Sequence, residues 1–235
     1  MANLQTCPDA AAWASACAAR LTDTLAAALA ETGKAMFAGS GGSTPAPIYA
    51  RMGRTDLDWS RVVVTLIDER YVAETSPQSN AALIKQTLMT GPAAAARFVP
   101  LFHAEVTVDR AAALATRALA REGSRLDAIL LGMGEDGHIC SMFPDSPTLK
   151  TLLTPTLRPA VYGVPHGRDG AAPGLERLSI NLPYLMTARR VVLAITGPAK
   201  RAVFQREAAG DPAVQPIAAL LAADVPLDVL WTEKA

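Results

Sequence analysis

The sequence predicts an α/β fold, a mainly parallel sheet with helices on both faces, on three observations. Short apolar runs recur at 34–38, 62–67, 127–131, 191–196 and 227–231, and the β-branched run Val62-Val-Val-Thr-Leu-Ile67 is too apolar for a half-exposed strand. Helical patterns separate these runs, the alternation expected of a parallel sheet covered on both sides. Polar loops follow directly after Ala38, Ile67 and Leu131, and in such sheets ligands bind outside the carboxyl ends of strands.

Taken in order, Asp9 is placed to cap an alanine-rich helix over 10–31, which Gly33 ends. The strand at 34–38 enters Gly39-Ser-Gly-Gly-Ser-Thr-Pro45, and Pro45 and Pro47 suit the first turn of a helix ending near Gly53. The run 62–67 is expected to be central and parallel. It leads into a polar segment from Asp68 to Ser79 and a helix over 80–89. Pro100 confines the weaker strand 98–102 to an edge or a strand end. A helix over 108–121 precedes the core strand 127–131, which opens into the loop 132–147. The Pro- and Gly-rich stretch 154–176 is expected to be irregular. Strand 177–182, helix 183–188, strand 191–196, helices over 198–208 and 216–223 and strand 227–231 complete the chain. With no internal repeat or clear linker, residues 1–235 are expected to form a single domain.

Composition narrows the functional classes. Lys plus Arg and Asp plus Glu both total 22, so the chain has no net charge and no general attraction to nucleic acid or anionic membrane. An anionic ligand must therefore be held by a few placed groups. Cys7, Cys17 and Cys140 are an odd count without metal-type spacing, which argues against a disulfide framework and fits a reducing compartment. The N-terminus lacks a basic n-region and an apolar h-region. No run approaches the ~20 apolar residues of a membrane span. Cytoplasmic localisation is the expectation; oligomeric state is left open.

Four segments carry chemistry. In Gly39-Ser-Gly-Gly-Ser-Thr44, Gly41 and Gly42 allow close backbone approach while Ser43, Thr44 and the following helix N-terminus can donate to an anion. A Walker loop is excluded because Lys followed by Ser or Thr is missing. Asp68-Glu-Arg70 puts a guanidinium, suited to phosphate or carboxylate, directly after a core strand; a solvated ion pair is the competing reading. Gly132-Met-Gly-Glu-Asp-Gly137 matches a dinucleotide fingerprint, yet Pro144 blocks the long helix that pattern must open. The acidic residue expected ~20 residues on is also absent. What remains is a glycine-rich turn pairing Asp136 with His138, where a carboxylate can orient an imidazole for proton transfer. Lys200 begins a helix after a core strand and can reach an anion across the same sheet edge. Cys140 lies in the apolar stretch Ile139-Cys-Ser-Met-Phe143 and reads as inert packing. No G-x-S-x-G elbow occurs.

Together these segments resemble the 6-phosphogluconolactonase family, which shares its fold with glucosamine-6-phosphate deaminases and ribose-5-phosphate isomerases. The matching blocks are Ser40-Gly-Gly-Ser-Thr-Pro45, Asp68-Glu-Arg-Tyr-Val72 with Ser79-Asn80, and Gly132-Met-Gly-Glu-Asp-Gly-His138 running to Phe143-Pro144. Arg177-Leu-Ser-Ile-Asn-Leu-Pro183 and Thr196-Gly-Pro-Ala-Lys200 follow in the same order. Asp-Glu-Arg and Phe-Pro are the lactonase forms, whereas deaminases look like Asp-Glu-Tyr and Phe-Asn-Glu-Pro. Ile139 departs from the lactonase pattern, which has Thr there, and agrees with the deaminases.

The resemblance implies a Rossmann-like three-layer, phosphosugar isomerase-like fold and a 6-phosphorylated δ-lactone as substrate. It implies His138, Asp136 and Asp68 as catalytic residues. Gly41, Gly42, Ser43, Thr44, Arg70 and Lys200, with Arg177 as a further candidate, would hold the phosphosugar. No metal or organic cofactor is called for, since water attack on an activated ester needs only a base and an oxyanion site. Two alternatives stay open: a glucosamine-6-phosphate deaminase-like isomerase, and a non-catalytic phosphosugar-binding protein.

Overall fold

The computed structural model describes residues 4–167 and 173–234. It opens with a short strand β1 (Leu4–Thr6). Helix α1 (Ala10–Thr32) follows, its first turn capped by the Asp9 carboxylate, which accepts from Ala12 N–H at 2.7 Å. Gly33 ends it with φ 74°, the left-handed geometry that glycine adopts without Cβ strain. β2 (Ala35–Gly39) leads into α2 (Ala46–Met52), preceded by Pro45. β3 (Val62–Leu66) is followed after one residue by β4 (Asp68–Arg70), then α3 (Asn80–Thr87). β5 (Arg97–Phe98), α4 (Val108–Glu122) and β6 (Ala128–Leu131) come next. After the long loop stand α5 (Leu149–Leu153), β7 (Val161–Val164), β8 (Arg177–Ile180) and α6 (Leu182–Met186). β9 (Arg190–Thr196), α7 (Gly197–Ala208), α8 (Pro216–Ala222) and β10 (Leu227–Thr232) complete the described chain.

Seven strands form one sheet in the order β1-β10-β9-β6-β2-β3-β5, every neighbouring pair parallel. Consecutive residues of β2, β3 and β6 are all buried, so both faces of the sheet are covered, as their unbroken apolar runs require. The apolar core runs from Cys7 to Trp231, and Trp13, Trp59, Tyr49 and Phe37 are its bulkiest buried members. Edge strand β5 spans only two residues before Pro100, as the proline dictates.

Several expectations need correction. β3 is the penultimate strand rather than a central one; helix cover, not sheet position, buries it. The polar segment after Ile67 begins with a strand: β4 pairs antiparallel with β8, and β8 with β7, forming a separate three-stranded sheet. Strand Arg177–Ile180 therefore lies outside the parallel sheet. The stretch expected to be irregular contains β7, which packs on α4; the part at 168–172 lies outside the described residues. β1 and α5 were not anticipated. Ile67 joins the two sheets: its N–H donates to Gly39 O at 3.0 Å and its carbonyl accepts from Ile180 N–H at 2.9 Å.

Candidate active site

The carboxyl ends of β2, β3, β6 and β9, with β4 and β8, frame a cleft of about 280 Å³. Gly41, Gly42, Ser43, Thr44, Asp68, Arg70, His138, Arg177 and Lys200 all line it. Of the residues expected from sequence, only Asp136 does not line it; it is exposed beside the cleft and bonded to His138.

The turn after β6 is built around that pair. Gly134 N–H donates to His138 O at 2.9 Å, and Gly137 N–H to Gly134 O at 3.2 Å. Gly137 has φ 88°. A Cβ at Gly134 would collide with the His138 ring and the Asp136 carboxylate. A Cβ at Gly137 would stand 2.7 Å from Glu207 Cδ of α7, whose buried side chain supports the turn. Within this tight turn Asp136 Oδ1 lies 2.5 Å from His138 Nδ1 and accepts the His138 backbone N–H at 3.2 Å. Burial alone would push the Asp136 carboxyl up, but the hydrogen bond and charge of His138 outweigh it and leave it below its ordinary value. With Nδ1 engaged, Nε2 is the ring nitrogen left for proton exchange. No helix follows Gly137 until α5 begins at Leu149, so the dinucleotide pattern lacks its structural context.

Opposite this turn is the small sheet. Arg70 and Arg177 are directly paired across β4 and β8. Each has a buried Nε with no acceptor among the described residues. Arg70 Nη1 donates to Gln78 O at 2.7 Å. Burial, reinforced by Arg70, lowers the Arg177 guanidinium from its ordinary value, with Asp68 and Glu69 opposing. Between them β4 presents Asp68 and Glu69 in alternate directions. Asp68 Oδ2 accepts the Ser141 hydroxyl at 2.6 Å, and Asp68 O accepts Asn80 Nδ2 at 2.9 Å. Glu69 turns away and accepts from the N–H groups of Arg70, Asn80 and Ala81 and from Ser79 Oγ, at 2.7 to 3.1 Å. It thus fastens the start of α3, where Ser79 Oγ is the cap. Burial raises the Glu69 carboxyl, and its four donors offset that only in part.

The third wall is the turn after β2. Gly41 has no room for a Cβ because the Asn80 amide fills that space, and Gly42 has φ 87°. Tyr49 OH donates to Ser40 O at 2.6 Å and fixes the entrance to the turn. Lys200, in the first turn of α7, reaches the cleft from the β9 side.

Sequence reasoning missed Asn80, Met133, Cys140 and Phe143 as lining residues and Ser141 as the partner of Asp68. Asn80 stood out in the sequence only within the Ser79-Asn80 block of the family resemblance, with no role attached. Cys140 is buried, as its apolar neighbours suggested, with the unusual φ of 52°. Burial and the charge of Asp68 push its thiol far up, so it is a poor nucleophile. Ile139 is fully buried in the core and does not line the cleft. Among the described residues, no three His, Cys, Asp or Glu side chains gather as a metal ion would require, and no helix is long and apolar enough to cross a membrane.

The three-layer α/β fold gathers a histidine and the cationic side chains of Arg70, Arg177 and Lys200 in one cleft at the strand ends, an arrangement suited to a small anion. The family model described as glucosamine-6-phosphate isomerases/6-phosphogluconolactonase matches residues 8–231, and the chain belongs to that family. The 6-phosphogluconolactonase of Rhizobium meliloti (strain 1021) is 42 % identical over 232 residues, covering 98 % of each chain. That of Caulobacter vibrioides is 40 % identical over 219 residues, 93 % of this chain and 92 % of the relative. Among solved structures, a 6-phosphogluconolactonase from Shewanella baltica OS155 superposes with a TM-score of 0.91 at 30 % identity, covering 99 % of this chain and 98 % of the other.

Proposed function

We propose that this chain hydrolyses 6-phospho-D-glucono-1,5-lactone to 6-phospho-D-gluconate, the lactonase step of the oxidative pentose phosphate pathway. The observation that carries the reading is the placement of the Asp136–His138 pair at one wall of a cleft shared with Arg70, Arg177 and Lys200. The names of the relatives support the same reaction.

In this reading His138 Nε2 takes a proton from water as the water oxygen attacks the lactone carbonyl carbon, C1. The carbonyl electrons move onto oxygen, and backbone N–H groups of the glycine-rich turns receive the oxyanion. When the carbonyl reforms, the bond from C1 to the ring oxygen breaks and His138 returns its proton to that oxygen. Asp136 holds Nδ1 and stabilises the imidazolium formed in between. The phosphate is held by Arg70, Arg177 and Lys200, with Gly41, Gly42, Ser43 and Thr44 supplying donors from the turn after β2. Asp68, oriented by Ser141, faces sugar hydroxyls. We read residues 1–235 as one catalytic unit, supported by a core that runs from Cys7 to Trp231. The three free, buried cysteines fit a cytoplasmic setting.

The test is a coupled assay on freshly generated lactone with spontaneous hydrolysis subtracted. Turnover above background that falls about 10²–10⁴-fold in His138→Ala is expected of a general base. A His138→Ala enzyme with native turnover would overturn the base assignment. Absence of lactonase activity together with ammonia release from glucosamine 6-phosphate would move the chain to the deaminase branch.

A further inference from the structure

Asp136 fixes the His138 ring at one atom only, and the side chain remains 28 % exposed at the cleft. The Gly134 backbone closes on the Nδ1–Cε1 edge of the ring, and a contact on the ring face is still needed to hold its plane and aim Nε2. The neighbour that supplies it is aromatic: the Phe143 ring centroid lies 4.3 Å from that of His138, at an interplanar angle of 38°. Phe143 is itself well held. It is 4 % exposed, Met142 before it is fully buried, Pro144 follows it, and its carbonyl accepts Ser146 N–H at 3.0 Å. The Arg177 guanidinium carbon stands 5.8 Å from the centroid of the same ring.

We propose that Phe143 is a positioning residue for His138, holding the plane of the imidazole and favouring its protonated form through the ring's electron-rich face. The inference rests on the reading of His138 as the base. An aromatic face attracts a cation close to it, so the imidazolium formed during water attack gains from Phe143 what a neutral imidazole does not. Asp136 supports the imidazolium directly at Nδ1, whereas Glu207 of α7, behind Gly137, is itself paired with Arg206. Arg177 and Arg70 from the small sheet and Lys200 from α7 oppose it across the cleft, with Asp68 beside them partly cancelling their charge.

Phe143→Leu keeps an apolar side chain of similar reach and removes the ring. In the lactonase assay kcat should fall about tenfold with KM changed by less than about twofold, since a slightly misaimed base costs rate more than binding. The acid limb of the kcat profile and the NMR titration of the His138 ring should both move to lower pH, by about half a unit. Phe143→Tyr, which retains the ring, should restore both; should the Leu variant fail to fold, Phe143→Met takes its place in the same measurements. A folded Leu or Met variant with native kcat and native His138 titration overturns the proposal. So does a loss of thermal stability without any shift of the acid limb, which is what a purely structural role would give. If His138→Ala keeps its turnover, the base assignment itself has failed; if His138→Ala is inactive and Phe143→Leu is native, only the role of Phe143 has.

Discussion

Arg70 and Arg177 face each other as a cross-strand pair on β4 and β8, two like charges whose buried Nε atoms find no acceptor among the described residues. Burial of the Arg177 guanidinium and the like charge of Arg70 make the pair costly, Asp68 and Glu69 offset part of that, and under the proposed assignment the substrate phosphate supplies the missing acceptor. Replacing Arg177 by Met should therefore raise KM roughly ten- to a hundredfold, the worth of a charged hydrogen bond of about 1.5–3 kcal/mol. The melting temperature should stay level or rise. Steady-state kinetics beside thermal unfolding check this; a lower melting temperature with unchanged KM would make Arg177 structural.

The Asp136 carboxylate is held below its ordinary value by His138 against the opposing effect of burial. Its contribution to folding is therefore present above the unfolded carboxylate value of about 4 and fades as pH falls through the depressed folded value. Held below its ordinary value, Asp136 stays ionised through neutral pH, so an acid limb of the pH-rate profile in that range does not report it. Asp136→Asn keeps the shape and loses the charge. It should lower kcat and move that limb to lower pH, and a pH-rate profile unchanged in position would remove Asp136 from the mechanism.

Glu69 does the opposite kind of work, accepting four hydrogen bonds inside the protein and none in the cleft. Glu69→Ala leaves those donors without a partner, at a cost of about 3 kcal/mol. For a chain of this size the melting temperature should drop by roughly 6–12 °C. Calorimetry reads this directly, and a drop of only about 1 °C would mean that water replaces the carboxylate.

Gly134 offers the sharpest steric test. An alanine Cβ there meets the His138 ring and the Asp136 carboxylate, so Gly134→Ala should displace the imidazole. The expected result is a loss of kcat of at least about a hundredfold, since misplacement on the order of 1 Å costs that much. Circular dichroism should stay native; full activity in the alanine variant would show that the turn relaxes freely.

Much of this arrangement was legible in the sequence wherever the signal is local. The cap at Asp9, the left-handed Gly33 and the unbroken apolar runs of β2, β3 and β6 depend on neighbouring residues. The Asp136–His138 pair is equally local, two residues apart in one turn. β4 escaped because Asp-Glu-Arg has no strand pattern of its own, and its partner Arg177 is far along the chain. β1 and β7 failed for the same reason, being short segments stabilised by distant strands. The Ser141–Asp68 bond and the filling of Gly41's space by Asn80 are likewise contacts that only folding creates. Ile139 misled in a different way, since its side chain points into the core rather than the cleft.

The single residue Ile67, bonded to Gly39 on one side and Ile180 on the other, has an engineering meaning. Under the proposed assignment, proton transfer is housed on the large sheet, and two of the three cationic anchors are housed on the small one. The span between reacting carbon and anchored phosphate is then a spacer length set at one seam. Grafting a β4–β7–β8 module from a relative would retune which chain length of sugar is accepted, keeping His138 and Asp136 in place and carrying Asp68 and Arg177 over with the module.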